Sequence, residues 1–370
     1  DALDLDAADC IVDAMLGTGV TGALREPEAT AARAINATDT TVLAVDVPSG
    51  VDADTGDAAG VAVDADHVVT FHDTKPGLAA LDTPVTVADI GIPAAAERFV
   101  GPGDLGTPGR AAESHKGDHG ELLVVGGGPY TGAPALAAQA ALRAGADLVH
   151  VACPASVADR IQGYSENLIV HPFAGDRFAP PAVDALVDLA AGMDAVICGP
   201  GLGSHDETLA AVEDFLSAAD GRVVVDADAL SVVPAVDTDA TLVCTPHQGE
   251  LLTMGGETAD DRETRAELVA EFAADLGHTL LVKGADDVIS DGADTRISRT
   301  GNPGMTVGGT GDVLAGVVGA LLVGREPRAA AAVGAYVNGR AGDLAFEAAG
   351  NGLVATDLID RLPEAFADDE

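Results

Sequence analysis

Short runs of β-branched and apolar residues alternate with longer Ala-rich stretches along the whole 370-residue chain. This rhythm limits the fold more than any other feature. Parallel strands need a crossover of a dozen or more residues between them, and a helix usually supplies it. The alternation therefore predicts βαβ units and a mainly parallel sheet with helices on its faces. In the first part, strands are expected at 10–15, 41–46, 67–71 and 85–90, with a helix over 28–37. Between 93 and 116 the pattern breaks into Gly, Pro and polar residues, and 101–114 is the expected linker between domains 1–100 and 115–370. Beyond it, strands are expected at 121–125, 148–152, 194–198, 222–226, 241–244 and 279–283. Helices are expected at 133–144, 208–218, 262–276, 311–322, 327–348 and 355–366.

Hydrophobic residues make up 47% of the chain, enough for a sheet buried on both faces, whereas aromatics are 3% and Trp is absent. The core must therefore be built from Ala, Val, Gly and Leu at close range. Lys and Arg number 19 against 60 Asp and Glu, a formal net charge of −41. The acid is spread along the chain rather than gathered in a tail, which argues for a folded protein suited to a salt-filled cytoplasm. In molar salt the Debye length falls to about 3 Å and such self-repulsion is screened. Nucleic acid and anionic membranes, which both need basic surface, are excluded as partners. Cys10, Cys153, Cys198 and Cys244 lie in apolar runs without a CxxC pair and are expected as small buried strand residues. No apolar run approaches the ~18 residues of a membrane span, and no secretory signal is visible. The chain starts without Met and runs straight into a strand pattern, so an N-terminally truncated sequence is expected.

The most informative string is TGNPGMTVGGTGDVLAGVVGALL from Thr300. Its glycines let backbone N–H groups converge on an anion, and the apolar helix that follows adds its positive N-terminal end. Asp312, at the start of that helix, is placed to take a proton from a hydroxyl as a phosphoryl group arrives. A Gly-rich turn with Asp312 as a plain N-cap is the simpler alternative. The lysines are Lys75, Lys116 and Lys283, in FHDTKPG, SHKGDHG and VKGADD. A compact ammonium serves phosphate as a point charge in a way Arg does not copy. His247, near a strand end, reads more readily as a satisfied structural residue than as a ligand, and only its place in TPHQGE raises it. Asp226 and Asp228 end a buried strand, where open α/β sheets meet their ligands, but a solvated loop acid fits the pattern as well.

The loop from Gly308 to Asp312 resembles the anion hole of ribokinase-like proteins, and the longer NPGM…GGTGDVLAG resembles the ADP/ATP-dependent NAD(P)H-hydrate dehydratases. The strings HKGDHGELLVVGGGPYTGAPALAAQAALRAGADLV, GPGLG, VVVDADAL, TPHQGE and VKGADDVISDG agree with that family in order and spacing, over essentially all of 112–370. The resemblance implies a ribokinase-like three-layer α/β domain. It implies that Ala133, Gly201, His247 and Asp312 contact hydrated NADH or NADPH. Lys283, Gly284, Ala285, Asp286, Asp287 and Gly311 would bind the nucleotide, with ADP as phosphoryl donor and Mg2+ beside its phosphates. Asp312 would be the catalytic base. Two positions depart from the family pattern: Gln248 stands where Pro is usual, and Asp287 where Thr is usual. A carboxylate at 287 would repel phosphate and is expected to avoid direct contact, as a surface acid.

Residues 10–23 (CIVDAMLGTGVTGA), 42–50 (VLAVDVPSG), FHDTKPG and VADIGIP together resemble the C-terminal half of NAD(P)H-hydrate epimerase, a partial Rossmann-like domain often fused ahead of the dehydratase. The resemblance implies K+ at Asp13 and Ser49, substrate phosphates at Gly17, Thr18, Gly19, Val20, Thr21, Gly22 and Ala23, and the nicotinamide at Asp46. The family's Asn-rich substrate loop lies upstream of these residues. A cytoplasmic homo-oligomer is expected. The alternatives are a ribokinase-like kinase of a small alcohol or vitamin precursor and a non-catalytic nucleotide sensor. The first leaves TPHQGE and VKGADD unexplained; the second leaves an intact Asp312 unexplained.

Overall fold

The computed structural model describes residues 5–19, 22–106 and 113–367. The chain divides into two compact units, Asp1–Ala96 and Glu97–Glu370.

The first unit carries four parallel strands, β1 (Ile11–Asp13), β2 (Val42–Val45), β3 (His67–Phe71) and β4 (Val85–Ala88), in that spatial order. Helix Glu28–Ile35 buries Ala29, Ala32 and Ile35. These residues share a small core with Val42, Ala44, Val68 and Leu78. β1 is shorter than expected because the Asp13 carboxylate accepts the Met15 N–H at 3.3 Å, which turns the chain out of the ladder. Cys10 precedes β1 and is exposed, unlike the buried Cys153, Cys198 and Cys244.

The second unit is built on nine strands: β5 (Glu121–Val125), β6 (Leu148–Pro154), β7 (Ile169–Phe173), β8 (Ala195–Cys198), β9 (Arg222–Val225), β10 (Thr241–Cys244), β11 (Thr279–Val282), β12 (Asp287–Ser290) and β13 (Thr295–Ser298). Their order is β13-β12-β11-β10-β9-β8-β5-β6-β7, parallel except where β12 pairs antiparallel with β11 and β13. Leu122, Leu123, Val124 and Val125 are all fully buried, as strands covered on both faces must be. On one face lie helices Gly132–Arg143, Thr310–Leu322, Pro327–Ala349 and Ala355–Ala365; on the other lie Val183–Ala190, Asp206–Ala218 and Arg262–Leu276. The result is a three-layer α/β unit.

Small residues set the layer spacing. Helix Thr310–Leu322 buries nine of its 13 residues, so it is apolar all round and needs neighbours on every side. At Gly316 a Cβ would sit 2.1 Å from the Ala137 carbonyl oxygen and 2.8 Å from the Ala140 Cβ, so the two helices approach closely because Gly316 has no side chain to interpose.

Several elements lie beyond the expected set: β7, the β12–β13 hairpin and helices Ala158–Gln162, Val183–Ala190 and Gln248–Met254. β12 and β13 are four residues each, too short for an alternation to stand out. Residues 107–112 of the expected linker fall outside the described residues. The stretch before them is not a free tether: Phe99 bridges to Ile297, Val100 donates its N–H to the Ile297 carbonyl at 2.9 Å, and Arg296 reaches Asp104 at 2.9 Å.

Candidate active site

In the nine-stranded sheet the chain runs outward from β5 through β6 to β7, and in the other direction from β8 through β9 and β10 to β11. β5 and β8 are neighbours, so the loops at their C-terminal ends diverge and leave a crevice, the usual ligand position in open α/β sheets. The loops there are Gly126–Gly128 and Gly199–Gly203. They are tied together by the Gly127 N–H, which donates to the Pro200 carbonyl at 2.9 Å. A Cβ on Gly201 would lie 2.3 Å from the Tyr130 carbonyl oxygen and 3.3 Å from the Ala133 Cβ. The structure thus brings Ala133 and Gly201 together, one in the first turn of helix Gly132–Arg143 and one in the facing loop.

The ends of β9, β10 and β11 supply a charged cluster beside this crevice. Asp226, just past β9, is 2% exposed and accepts the Thr245 hydroxyl at 2.8 Å and the Lys283 ammonium at 3.0 Å. Lys283 also lies 3.8 Å from Glu250. His247 caps helix Gln248–Met254: its Nδ1 accepts the Glu250 N–H at 3.1 Å while the Glu250 carboxylate accepts the His247 N–H at 2.7 Å. A capping box leaves the outer face of the His247 ring exposed. The structural reading of His247 therefore holds: Nδ1 caps the helix, Nε2 lies 3.5 Å from Glu250 Oε1, and the ring is more than half exposed.

Asp312 enters the cluster from the sheet's helical face. Gly309, with φ +98°, holds the N-cap of its helix, and no side chain caps the turn. Asp312 is therefore not an N-cap residue, and the simpler alternative falls. Burial, then the Asp226 and Glu250 carboxylates, push the Asp312 carboxyl up to about 7, with Lys283 opposing them. Burial works against the Lys283 charge, but Asp226, Glu250 and Asp312 together hold the ammonium above the usual lysine value. Asp312 shares one cation with two other carboxylates. Its carboxyl is thus set to exchange a proton near neutrality while buried beside an ammonium.

Next to the cluster opens a cavity of about 400 Å3, lined among others by Lys283, Gly284, Ala285, Asp287, Thr310 and Gly311. Its size suits a nucleotide-sized ligand. Asp343 fixes one wall by accepting the Gly301 N–H at 3.0 Å and the Asn302 amide at 2.9 Å. Asp287 is not the surface acid expected from the sequence. Its carboxylate accepts the Gly284 N–H at 2.9 Å, and burial pushes it up to about 6. Asp286 lies beside it and pairs with Arg262 at 3.1 Å. The charge of Asp287 is thus spent within the Gly284 turn.

In the first unit, Asp13 and Ser49 are each 1% exposed and meet at 2.7 Å, the hydroxyl donating to Oδ1 while the Ser49 N–H donates to Oδ2 at 2.8 Å. Asp46 stands at φ +70°, an uncommon conformation for a side-chain-bearing residue, and pairs with Lys75 at 3.0 Å and the Thr70 hydroxyl at 3.1 Å. A Cβ on Gly17 would lie 3.4 Å from Asp46 Oδ2, so the loop after β1 reaches this acid. Thr18, Gly19, Gly22 and Ala23 are exposed on the same loop, and Val20 and Thr21 lie outside the described residues. Lys116, in the second unit, is exposed.

Asp226 acquires a role that its strand-end position only hinted at. Glu250 was not singled out, although His-x-x-Glu after a strand is a capping-box signal that could have found it. Among the described residues no group of three or more His, Cys, Asp or Glu side chains is arranged to hold a metal ion, and no helix is long and apolar enough to cross a membrane.

Residues 122–364 match the family model of NAD(P)H-hydrate dehydratase, and residues 1–77 match that of the YjeF-related protein N-terminus. The chain is 46% identical over 368 residues to the bifunctional NAD(P)H-hydrate repair enzyme Nnr of Pyrobaculum aerophilum, covering 96% of this chain and 74% of that protein. It is 44% identical to the Nnr of Archaeoglobus fulgidus, covering 97% and 75%. Among solved structures it is similar to an ADP/ATP-dependent NAD(P)H-hydrate dehydratase from Bacillus subtilis co-crystallised with ATP and Mg2+, with a TM-score of 0.65, 29% identity and 73% and 97% coverage. A ribokinase-like superfamily protein from Enterococcus faecalis shares the fold, with a TM-score of 0.63 at 22% identity and 73% and 95% coverage.

Proposed function

The chain belongs to the bifunctional NAD(P)H-hydrate repair enzymes, with dehydratase and epimerase activities, and from that premise we propose how its residues divide the work. Residues 115–370 act as the dehydratase and residues 1–100 as the C-terminal part of the epimerase domain, with 101–114 between them. The phosphoryl donor is ADP, held along Lys283, Gly284, Ala285 and Asp286 and against Gly311, with Asp287 shaping the turn rather than touching phosphate. The hydrated nicotinamide lies across Ala133, Gly201 and His247.

Asp312 takes the proton from the 6-hydroxyl as that oxygen bonds to the terminal phosphorus of ADP and AMP departs. The new phosphate ester then leaves C6 with its electron pair while C5 loses a proton, and the ring regains its dihydropyridine double bond. The sum is hydrate plus ADP giving NAD(P)H, AMP and phosphate. Lys283 neutralises phosphate charge and keeps Asp312 ionisable. The observation that carries this reading is the Asp312 carboxyl at about 7 beside Lys283, a base matched to neutral pH.

The carboxylates of Asp226 and Glu250 are hard oxygen donors of the kind Mg2+ accepts. With no ready-made cage among the described residues, the ion would be held chiefly by the nucleotide phosphates and would supply charge neutralisation there. In the epimerase part, Asp13 and Ser49 offer adjacent buried oxygens to K+. Gly17 to Ala23 take the substrate phosphates and Asp46 the nicotinamide. The same reading includes a halophilic cytoplasm, supported by the net charge of −41, and a homo-oligomer, which sedimentation tests directly.

The deciding experiment incubates the chain with hydrated NADH, ADP and Mg2+ in molar KCl and follows the absorbance of the restored dihydropyridine. A rise that needs ADP and yields AMP is expected. Folded protein that gives no rise, or that turns over without AMP, overturns the assignment of ADP and Asp312.

A further inference from the structure

Helix Pro327–Ala349 carries one side chain that the reaction above does not use. Asn338 is 6% exposed, and its Oδ1 is buried without a hydrogen-bond partner among the described residues. It lines the same cavity as Lys283, Gly284 and Gly311. A buried amide oxygen without a partner is costly and rare in folded proteins, so Oδ1 in this position is suited to a donor that arrives with a ligand.

The surroundings fix the helix backbone that carries it. At the next residue, Gly339, a Cβ would lie 2.3 Å from the Thr300 hydroxyl, so the helix backbone presses against the loop that forms the cavity wall. The Thr300 hydroxyl donates to the Tyr336 carbonyl at 2.9 Å, and Asp343 holds Gly301 and Asn302 from the same helix. Pro303, Met305 and Leu314 give the cavity apolar surface suited to the faces of a flat ring.

We propose that the Asn338 amide reads the base of the bound nucleotide and selects adenine by its 6-amino group. A carboxamide presents one acceptor beside one donor, which matches the N6 amine and N7 of adenine. A 6-oxo purine shows two acceptors on that edge and cannot satisfy both. This inference rests on the cavity being the nucleotide site, and it adds which base that site prefers and which residue sets the preference.

Calorimetric titration of the full chain with ADP and with inosine diphosphate, in molar KCl with Mg2+, tests it without relying on turnover. The parent protein is expected to bind ADP about tenfold more tightly, the equivalent of one well-made hydrogen bond. In Asn338→Ala the two affinities are expected to converge within about twofold; Asn338→Ser supplies the ratio if the alanine variant does not fold. A variant that keeps the parent ratio overturns the inference, as does a parent that binds both nucleotides equally. A folded parent that binds neither overturns the nucleotide site itself, and the base preference with it.

Discussion

The Lys283 ammonium lies 3.0 Å from Oδ1 of Asp226, and the same oxygen accepts the Thr245 hydroxyl at 2.8 Å. A carboxylate this deep persists because of that cation. Removing the ammonium leaves its charge buried and uncompensated, which typically costs about 3 kcal/mol or more. Lys283→Met is expected to destabilise the chain by that order in denaturant titrations, and adding Asp226→Asn is expected to recover much of the loss. A single variant as stable as the parent would show that the pair contributes little.

Asp312→Asn is expected to abolish turnover while ADP still binds. It should also stabilise the fold above neutrality. The folded carboxyl titrates near 7 and the unfolded one near the usual value of about 4. Between these values the folded state binds the extra proton, so the stability this group contributes is present at low pH and is lost as pH rises through 7. At pH 8 the amide variant should therefore melt several degrees higher than the parent, and at pH 4 no higher. Turnover close to that of the parent would remove Asp312 as the base.

The same titration sets the rate profile. The dehydratase kcat/KM should rise as pH increases, with a midpoint near 7, and fall about tenfold per unit below it. A profile flat from pH 5.5 to 8, under conditions where chemistry limits the rate, would contradict a base with this pKa.

Gly199 tests the crevice. A Cβ there would lie 1.9 Å from the Asp226 carbonyl oxygen at φ +130°. Gly277, at φ +70°, has open space where a Cβ would go. Gly199→Ala should cost about 3 kcal/mol or more, and Gly277→Ala about 1 kcal/mol from backbone strain alone. Equal losses in thermal or chemical denaturation would mean the loop at β8 yields easily.

Dialysis from molar KCl into dilute buffer should unfold or inactivate the chain, because the screening that tolerates its net charge of −41 disappears. Full activity at low salt would end the halophilic reading.

The sequence exposed the scaffold more clearly than the site's internal wiring. β3, β5, β10 and helix Arg262–Leu276 match the expected spans because their apolar runs are bounded by sharp turns. The hairpin of β12 and β13 does not stand out because its strands, DVIS and TRIS, mix polar and charged residues into four positions and lack the continuous apolar run of β10. At the site, the Gly loop and Asp312 were legible from their order along the chain. The partnership of Asp226, Glu250 and Lys283 was not, since three separate strand ends must first be stacked side by side. Asp287 misled for a related reason: a charge reads as solvated until the neighbouring Gly284 N–H that accommodates it is seen.

The contact between Gly316 and Ala137 reaches further than local packing. Ala133 lies in the first turn of helix Gly132–Arg143, and Asp312 in the first turn of helix Thr310–Leu322. Where a glycine meets a helix of alanines there is little slack, so the pair works as a caliper whose jaws are those two first turns. The gap between Ala133 and Asp312 is then gauged by a methyl group and a hydrogen atom, and a chain poor in aromatics has the right parts for so fine a gauge.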